Sequence, residues 1–260
     1  MQDLVITLIQ TNLIWENKVK NLSHFENRID SIMEETDLII LPEMFNTGFS
    51  MNPEKLAESM DGSTIQWMQK ISADRKMDIT GSVIINENNQ YFNRLIWVKP
   101  DGSLFTYDKR HLFRMGNEQN VYTGGSNLIT VELKEWKIRP LICYDLRFPV
   151  WARNTGGSEY DLLIYVANWP DKRIQHWKSL LIARAVENQS YVAGINRIGS
   201  DGNKISYCGD SMIVDPLGET LALLRNQDTI HTERLSKRNL INYREKFPAW
   251  KDGDRFEVIK

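Results

Sequence analysis

Cysteine is scarce in this chain of 260 residues: Cys143 and Cys208 are the whole complement. Two thiols so far apart make no disulfide scaffold, and they lack the Cys/His pairing of a zinc site. A reducing compartment, the cytoplasm, is therefore expected, with no metal. Histidine is also rare, and His24, His111, His176 and His231 are all that a cysteine–histidine hydrolase could draw on. No charge sign dominates, with 32 Lys and Arg against 34 Asp and Glu, so nothing pulls the chain toward nucleic acid or an anionic membrane. No apolar run nears the roughly 20 residues of a membrane span. Asp3 interrupts what would otherwise be the start of a basic leader, and strand-like sequence follows it. Linkers, low-complexity tracts and shifts of composition are missing too. With 42% apolar residues the chain can build one large core, so residues 1–260 read as one domain ending in a tail from about residue 236.

What is present is a set of apolar strand-like runs, each ending in a chemically active side chain. Asp37-Leu-Ile-Ile-Leu-Pro-Glu43 delivers a carboxylate, Leu104-Phe-Thr-Tyr-Asp-Lys109 an ammonium, and Ile138-Arg-Pro-Leu-Ile-Cys143 a thiol. Ends of rigid elements are where open α/β folds keep their chemistry. Taken singly, each residue has a plain explanation: a cysteine in an apolar run is a small hydrophobe, and Lys109 belongs to a basic surface run with Arg110 and His111. The residues after Cys143 weigh against that. Tyr-Asp-Leu-Arg-Phe-Pro turns at once from strand to bend, the kind of turn that exposes a nucleophile and aims the Tyr144 N–H at an attacked carbonyl. Glu43 lies between Leu41-Pro and Met-Phe45, which desolvate it as a general base requires. Should the three ends converge, they form an acyl-transfer site of nucleophile, base and oxyanion-stabilising cation.

Strands alternate with helices along the chain. Leu4–Ile9 reads as a strand, and Val19, Leu22, Phe25, Ile29 and Ile32 recur at helical spacing. Ser63 is placed to cap a helix bearing Ile65, Met68 and Ile71, followed by a strand in which Gly81 marks a close backbone approach. Pro100-Asp-Gly102 turns a hairpin that leads to Lys109. The polar stretch from Arg114 to Asn127, which holds Glu118, is a long loop of the functional kind. In the second half, Asp161-Leu-Leu-Ile-Tyr-Val echoes Asp37-Leu-Ile-Ile-Leu-Pro, as if two related halves were joined. A helix with Trp177, Leu181 and Arg184 on one side precedes strands flanking Asp215-Pro-Leu-Gly218. The class is α/β, and two sheets covered by helices give a four-layer αββα sandwich.

Leu-Pro-Glu-Met-Phe, Tyr-Asp-Lys-Arg-His-Leu-Phe and Leu-Ile-Cys-Tyr-Asp-Leu-Arg-Phe-Pro, in that order, resemble the Glu, Lys and Cys motifs of the nitrilase (carbon-nitrogen hydrolase) superfamily. Tyr165-Val-Ala-Asn-Trp-Pro170, Ala183-Arg-Ala-Val-Glu-Asn188 and Gly209-Asp-Ser-Met-Ile-Val-Asp-Pro-Leu-Gly-Glu219 extend the resemblance over nearly the whole chain. It implies the same sandwich, a catalytic triad of Glu43, Lys109 and Cys143 that needs no cofactor, a second glutamate at Glu118, and a homodimer or higher homo-oligomer. The Cys-Tyr-Asp-Leu-Arg-Phe-Pro form is similar to that of omega-amidases, which cleave the terminal amide of keto acids such as alpha-ketoglutaramate. Such a substrate carries a far carboxylate, for which Arg173 is the leading partner and Arg114 the alternative. Arg147 is set aside as an expected ion-pair partner of Asp145. Phe49, Trp169 and His111 complete the expected substrate-binding set. The alternatives are an amidase or N-carbamoyl hydrolase for another small amide, and a non-catalytic protein that kept the fold.

Overall fold

The structure is a computed structural model that describes residues 1–154, 159–254 and 256–258. In chain order its elements are β1 (Leu4–Gln10), α1 (Lys18–Asp30), β2 (Leu38–Ile40), α2 (Pro53–Leu56), α3 (Ser63–Arg75), β3 (Asp78–Glu87), β4 (Gln90–Val98) and β5 (Leu104–Asp108). There follow β6 (Val131–Leu133), β7 (Trp136–Ile142), α4 (Pro149–Ala152), β8 (Leu162–Ala167), α5 (Ile174–Asn188) and β9 (Tyr191–Asn196). The chain continues through β10 (Ile198–Ser200), β11 (Ser206–Cys208), β12 (Ser211–Val214), β13 (Thr220–Leu224), β14 (Thr229–Leu235) and α6 (Lys237–Lys246).

Two six-stranded sheets result, ordered β14-β1-β2-β3-β4-β5 and β13-β12-β9-β8-β7-β6. Period-2 alternation sorts their side chains. Leu4, Ile6, Leu8, Leu38, Ile40, Leu95 and Trp97 face the second sheet and join its Ile138, Leu162, Ile164 and Val166 in one core. The intervening Ile9, Ile39, Ile79, Val83, Ile96 and Val98 face outward, onto Phe25 and Ile29 of α1 and Ile65, Met68 and Ile71 of α3. On the far side, Trp177, Leu181 and Ala185 of α5 cover the second sheet. The layers are thus helix, sheet, sheet, helix, as expected. Val19 departs from its expected place: it is on the solvent face of α1. Ser63 does not cap α3 either. Gly62 is the cap residue, and the Glu58 carboxylate takes the Thr64 N–H at 2.8 Å in place of a capping hydroxyl.

The echo between Asp37 and Asp161 extends to whole sheets. In one, β1, β2 and β3 run parallel with Ile6 opposite Leu38 and Leu38 opposite Asp78. In the other, β7, β8 and β9 run parallel with Ile138 opposite Leu162 and Leu162 opposite Tyr191. Antiparallel strands then follow in matching register, Val98 against Leu104 and Val214 against Thr220. Each aspartate clasps the preceding strand: Asp37 accepts the Val5 N–H at 2.9 Å and Asp161 the Lys137 N–H at 3.0 Å. Two lysines tie the halves reciprocally. Lys134, after β6 of the second sheet, reaches Asp37 of the first at 2.7 Å. Lys237, after β14 of the first, reaches Asp161 of the second at 2.5 Å. No helix among the described residues is long and apolar enough to cross a membrane.

Candidate active site

The ends of β2, β5 and β7 meet between the sheets. Beyond β2 the chain passes Leu41-Pro42 and reaches Glu43, and Met44 bends it with φ of 43°. The Met44 N–H donates to Ser82 Oγ at 2.9 Å, and the Phe45 N–H to the Ser82 carbonyl at 3.1 Å. Such close seating on β3 needs Gly81, where a Cβ would stand 2.8 Å from the Phe45 ring and 2.9 Å from Leu41. Glu43 is wholly buried. Its Oε1 accepts from Lys109 Nζ and Asn93 Nδ2, each at 2.8 Å, and its Oε2 from the Asn168 N–H at 2.8 Å.

Lys109 follows β5 directly and is buried between two carboxylates, bonding Glu118 through both oxygens at 3.0 and 2.9 Å. Burial alone would drive its proton off; the adjoining Glu118 and Glu43 charges outweigh burial and hold the ammonium protonated well above the usual lysine range. Glu118 sits at the start of a 3-10 turn (Glu118–Asn120) in the long polar loop. It also accepts the Phe113 N–H at 2.6 Å. Burial raises its carboxyl pKa, with Lys109 opposing.

Cys143 opens a 3-10 turn (Cys143–Arg147) and takes φ of 44°, a left-handed backbone that a non-glycine residue adopts only under constraint. Its side chain lines the same cavity as Lys109. Burial lifts the thiol pKa well above its ordinary value, the Glu43 charge adds to this, and Lys109 counters only in part. Burial and the Glu43 charge both favour the neutral thiol over the thiolate. Tyr144, second in the turn, has an N–H free of any helical acceptor.

Asp145 fixes the bend from behind. It accepts from Tyr107 Oη at 2.7 Å, the His111 N–H at 3.0 Å, His111 Nδ1 at 2.8 Å and the Ile142 N–H at 3.1 Å. Asp145→Asn puts an amide NH2 where only donors converge, leaving at least one buried donor unpaired at about 1–3 kcal/mol. Denaturant melts should show that loss of stability, with a fall in activity as the Cys143 bend relaxes. An unaltered midpoint would remove Asp145 from this supporting role.

Cys143, Lys109, Asn168, Phe49 and Trp169 line a cavity of about 520 Å3. Tyr144, Phe113, Arg147 and Arg173 line it as well, and the β10–β11 hairpin closes it with Ile205 and Tyr207. Of the residues expected to meet substrate, Phe49, Trp169 and Arg173 thus face this space, and two do not. Arg114 is exposed on the outer side of its turn, outside the lining. His111 is held by Asp145 and stacks on Phe148 at 3.7 Å between ring centroids, so it braces the bend from outside the cavity. The ion pair expected between Arg147 and Asp145 does not form. Asp145 turns inward to Tyr107 and His111, while Arg147 stacks on the Trp169 ring at 4.7 Å and bonds His176 at 3.1 Å.

Sequence reasoning gave no role to Asn93, whose amide bonds both Glu43 and Glu118. Little in the sequence signals it, since Arg94 follows at once in the same strand. Asn168 had appeared only inside a matching motif, and its amide also bonds the Glu43 carbonyl.

Comparison with known proteins agrees with this geometry. The carbon-nitrogen hydrolase family model matches residues 5–238. The chain is 46% identical over 259 residues to omega-amidase YafV of Escherichia coli (strain K12), covering 99% of this chain and 100% of that one. It is 32% identical over 250 residues to 2-oxoglutaramate amidase of Bacillus subtilis (strain 168), covering 95% and 96%. Among solved structures, a CN-hydrolase superfamily protein of Xanthomonas campestris, with an arsenic adduct in its active site, superposes with a TM-score of 0.96 at 44% identity. That match covers 99% of this chain and 100% of the other. Sequence, fold and similarity over the full length thus agree, and the chain belongs to the carbon-nitrogen hydrolase family.

Proposed function

We propose that this amidase cleaves the terminal amide of small omega-amido acids, alpha-ketoglutaramate among them, to the acid and ammonia through a Cys143 thioester. The observation that carries the reading is that the Cys143 thiol and the Lys109 ammonium line one cavity, with Lys109 bonded to the buried Glu43 carboxylate at 2.8 Å. Full-length similarity to proteins named omega-amidase and 2-oxoglutaramate amidase supports the choice of substrate.

Because burial favours the thiol form of Cys143, attack and proton transfer to Glu43 go together. The sulfur adds to the amide carbon, and the Tyr144 N–H and Lys109 ammonium stabilise the oxyanion. Glu43 then gives its proton to the departing nitrogen, and ammonia leaves. Water, deprotonated by Glu43, hydrolyses the thioester. Glu118 holds Lys109 and orients the substrate amide, Phe49 and Trp169 pack on its carbon chain, and Arg173 grips its far carboxylate. Ammonia release from a panel of amides, nitriles and N-carbamoyl compounds tests the assignment. Succinamate and alpha-ketoglutaramate should turn over fastest, and a faster neutral amide or nitrile would reject it.

The enzyme acts in the cytoplasm as a homodimer in this reading. Phe247, 58% exposed, stands with Trp250 and Phe256 as large apolar groups on a polar C-terminal segment, the kind of surface a partner covers. Light scattering at micromolar concentration should give twice the chain mass; a monomer there would remove the dimer.

A further inference from the structure

Two guanidiniums, Arg147 and Arg173, face the cavity, and neither forms an ion pair with a carboxylate among the described residues. Arg147 donates to His176 Nδ1 at 3.1 Å and lies over the rings of Trp169 at 4.7 Å and Tyr144 at 5.9 Å. Arg173 lies over the Phe113 ring at 5.3 Å. Two carboxylates also line the cavity, Asp201 bonded through both oxygens and Asp171 through one, and neither pairs with these guanidiniums. Asp201 accepts from Tyr207 Oη and from the N–H groups of Asn203 and Ile205, and Asp171 accepts from Ser206 Oγ. Burial lowers the Arg147 pKa, and the neighbouring Arg173 charge adds to the lowering. Like charges brought together without an ion-pair partner of their own favour a ligand that supplies one.

We propose that Arg147 and Arg173 form a carboxylate clamp, and that Arg147 sets the substrate's length and charge by riding on the same turn as the nucleophile. The inference rests on the omega-amidase reading for the identity of the natural substrate, though not for the anion site itself. Arg147 is four residues beyond Cys143 on one 3-10 turn, about 8 Å along the axis at roughly 2 Å per residue. The attacked carbonyl and the clamp are therefore spaced by one short rigid element. The Trp169 ring beneath it at 4.7 Å limits where the guanidinium can go, and its fork can take both oxygens of a carboxylate. A clamp of two cations also repels a cationic group beside that carboxylate. It admits an alpha-keto or unsubstituted omega-amide and refuses the alpha-amino analogue.

The test uses succinamate, neutral butyramide and L-asparagine, which is succinamate with an added alpha-ammonium, together with succinate as a competitive inhibitor of butyramide hydrolysis. In Arg147→Gln, kcat/KM for succinamate should fall at least about tenfold more than for butyramide, mainly through KM, on the scale of one charge-assisted hydrogen bond. Succinate inhibition should weaken by a similar factor, and the preference for succinamate over L-asparagine should narrow. Arg147→Lys, which keeps the charge and loses the fork, should fall between. Equal losses on succinamate and butyramide would overturn the proposal, since they would mark Arg147 as a support of the bend alone. Succinate that fails to inhibit the wild-type enzyme would overturn the anion site whatever the natural substrate. Wild-type preference for butyramide, with succinate still inhibiting through Arg147, would reject the omega-amidase reading and leave the clamp standing.

Discussion

Cys143→Ala protein will fold, and it will release no ammonia from any amide. The side chain removed is small, at the start of a turn whose position is set by Asp145 and not by sulfur. The stability cost should be on the order of 1 kcal/mol. Nothing else in the cavity can replace the nucleophile. The other thiol, Cys208, lies on the β10–β11 hairpin, where burial and the nearby Asp171 raise its pKa to about 12. Cys208→Ala should retain wild-type turnover and serves as the control. Mass spectrometry of wild-type enzyme quenched during turnover should find the acyl group on Cys143. Turnover by Cys143→Ala, or an acyl group elsewhere, would end the thioester scheme.

Glu43→Gln should be nearly as damaging, for two separable reasons. Gln keeps the volume but cannot take the thiol proton, and loss of a general base costs about 100-fold to 10,000-fold. With the thiol pKa already raised by burial, bulk base will not compensate near neutral pH. Gln also presents an NH2 in a shell made of donors: Lys109 Nζ and Asn93 Nδ2 on one oxygen, the Asn168 N–H on the other. Whichever way the amide turns, one donor meets another, a penalty of about 1–3 kcal/mol. Single-turnover acylation should slow by at least about 100-fold, and the melting midpoint should fall. Normal acylation in the variant would mean that a different base serves Cys143. A normal midpoint with slow acylation would mean that the shell rearranges around the amide.

Cys143, Glu43 and Lys109 could be read from sequence because each ends an apolar run, and a strand in a buried sheet fixes where its end projects. Glu118 lacks that support. It lies in a loop, and only the family motif singled it out; its bonds to Lys109 and the Phe113 N–H come from tertiary placement. Arg147 was misread for a geometric reason. Asp145 is two residues away, which suggests a pair, but in a turn of about three residues per revolution such side chains point apart. Asn93 belongs to the same lesson: which neighbour a strand residue faces depends on pairing between distant segments, and local pattern carries no record of it. Gly62 replaced Ser63 at the cap of α3 because Glu58, from a separate segment, already supplied the acceptor.

The matched registers of the two sheets identify a counterpart for each residue in the other half. β1 and β7 have equal length and the same offset from their neighbours, so the residue just after β1, Thr11, is the structural twin of Cys143. Thr11 is wholly buried, and its hydroxyl is held by Asp228 and His24 at 2.7 Å each. The same strand end thus forms a locked joint in one half and carries the proposed nucleophile in the other. A matched scaffold ends one strand in a hydroxyl tied on both sides and its counterpart in a thiol that opens onto a cavity.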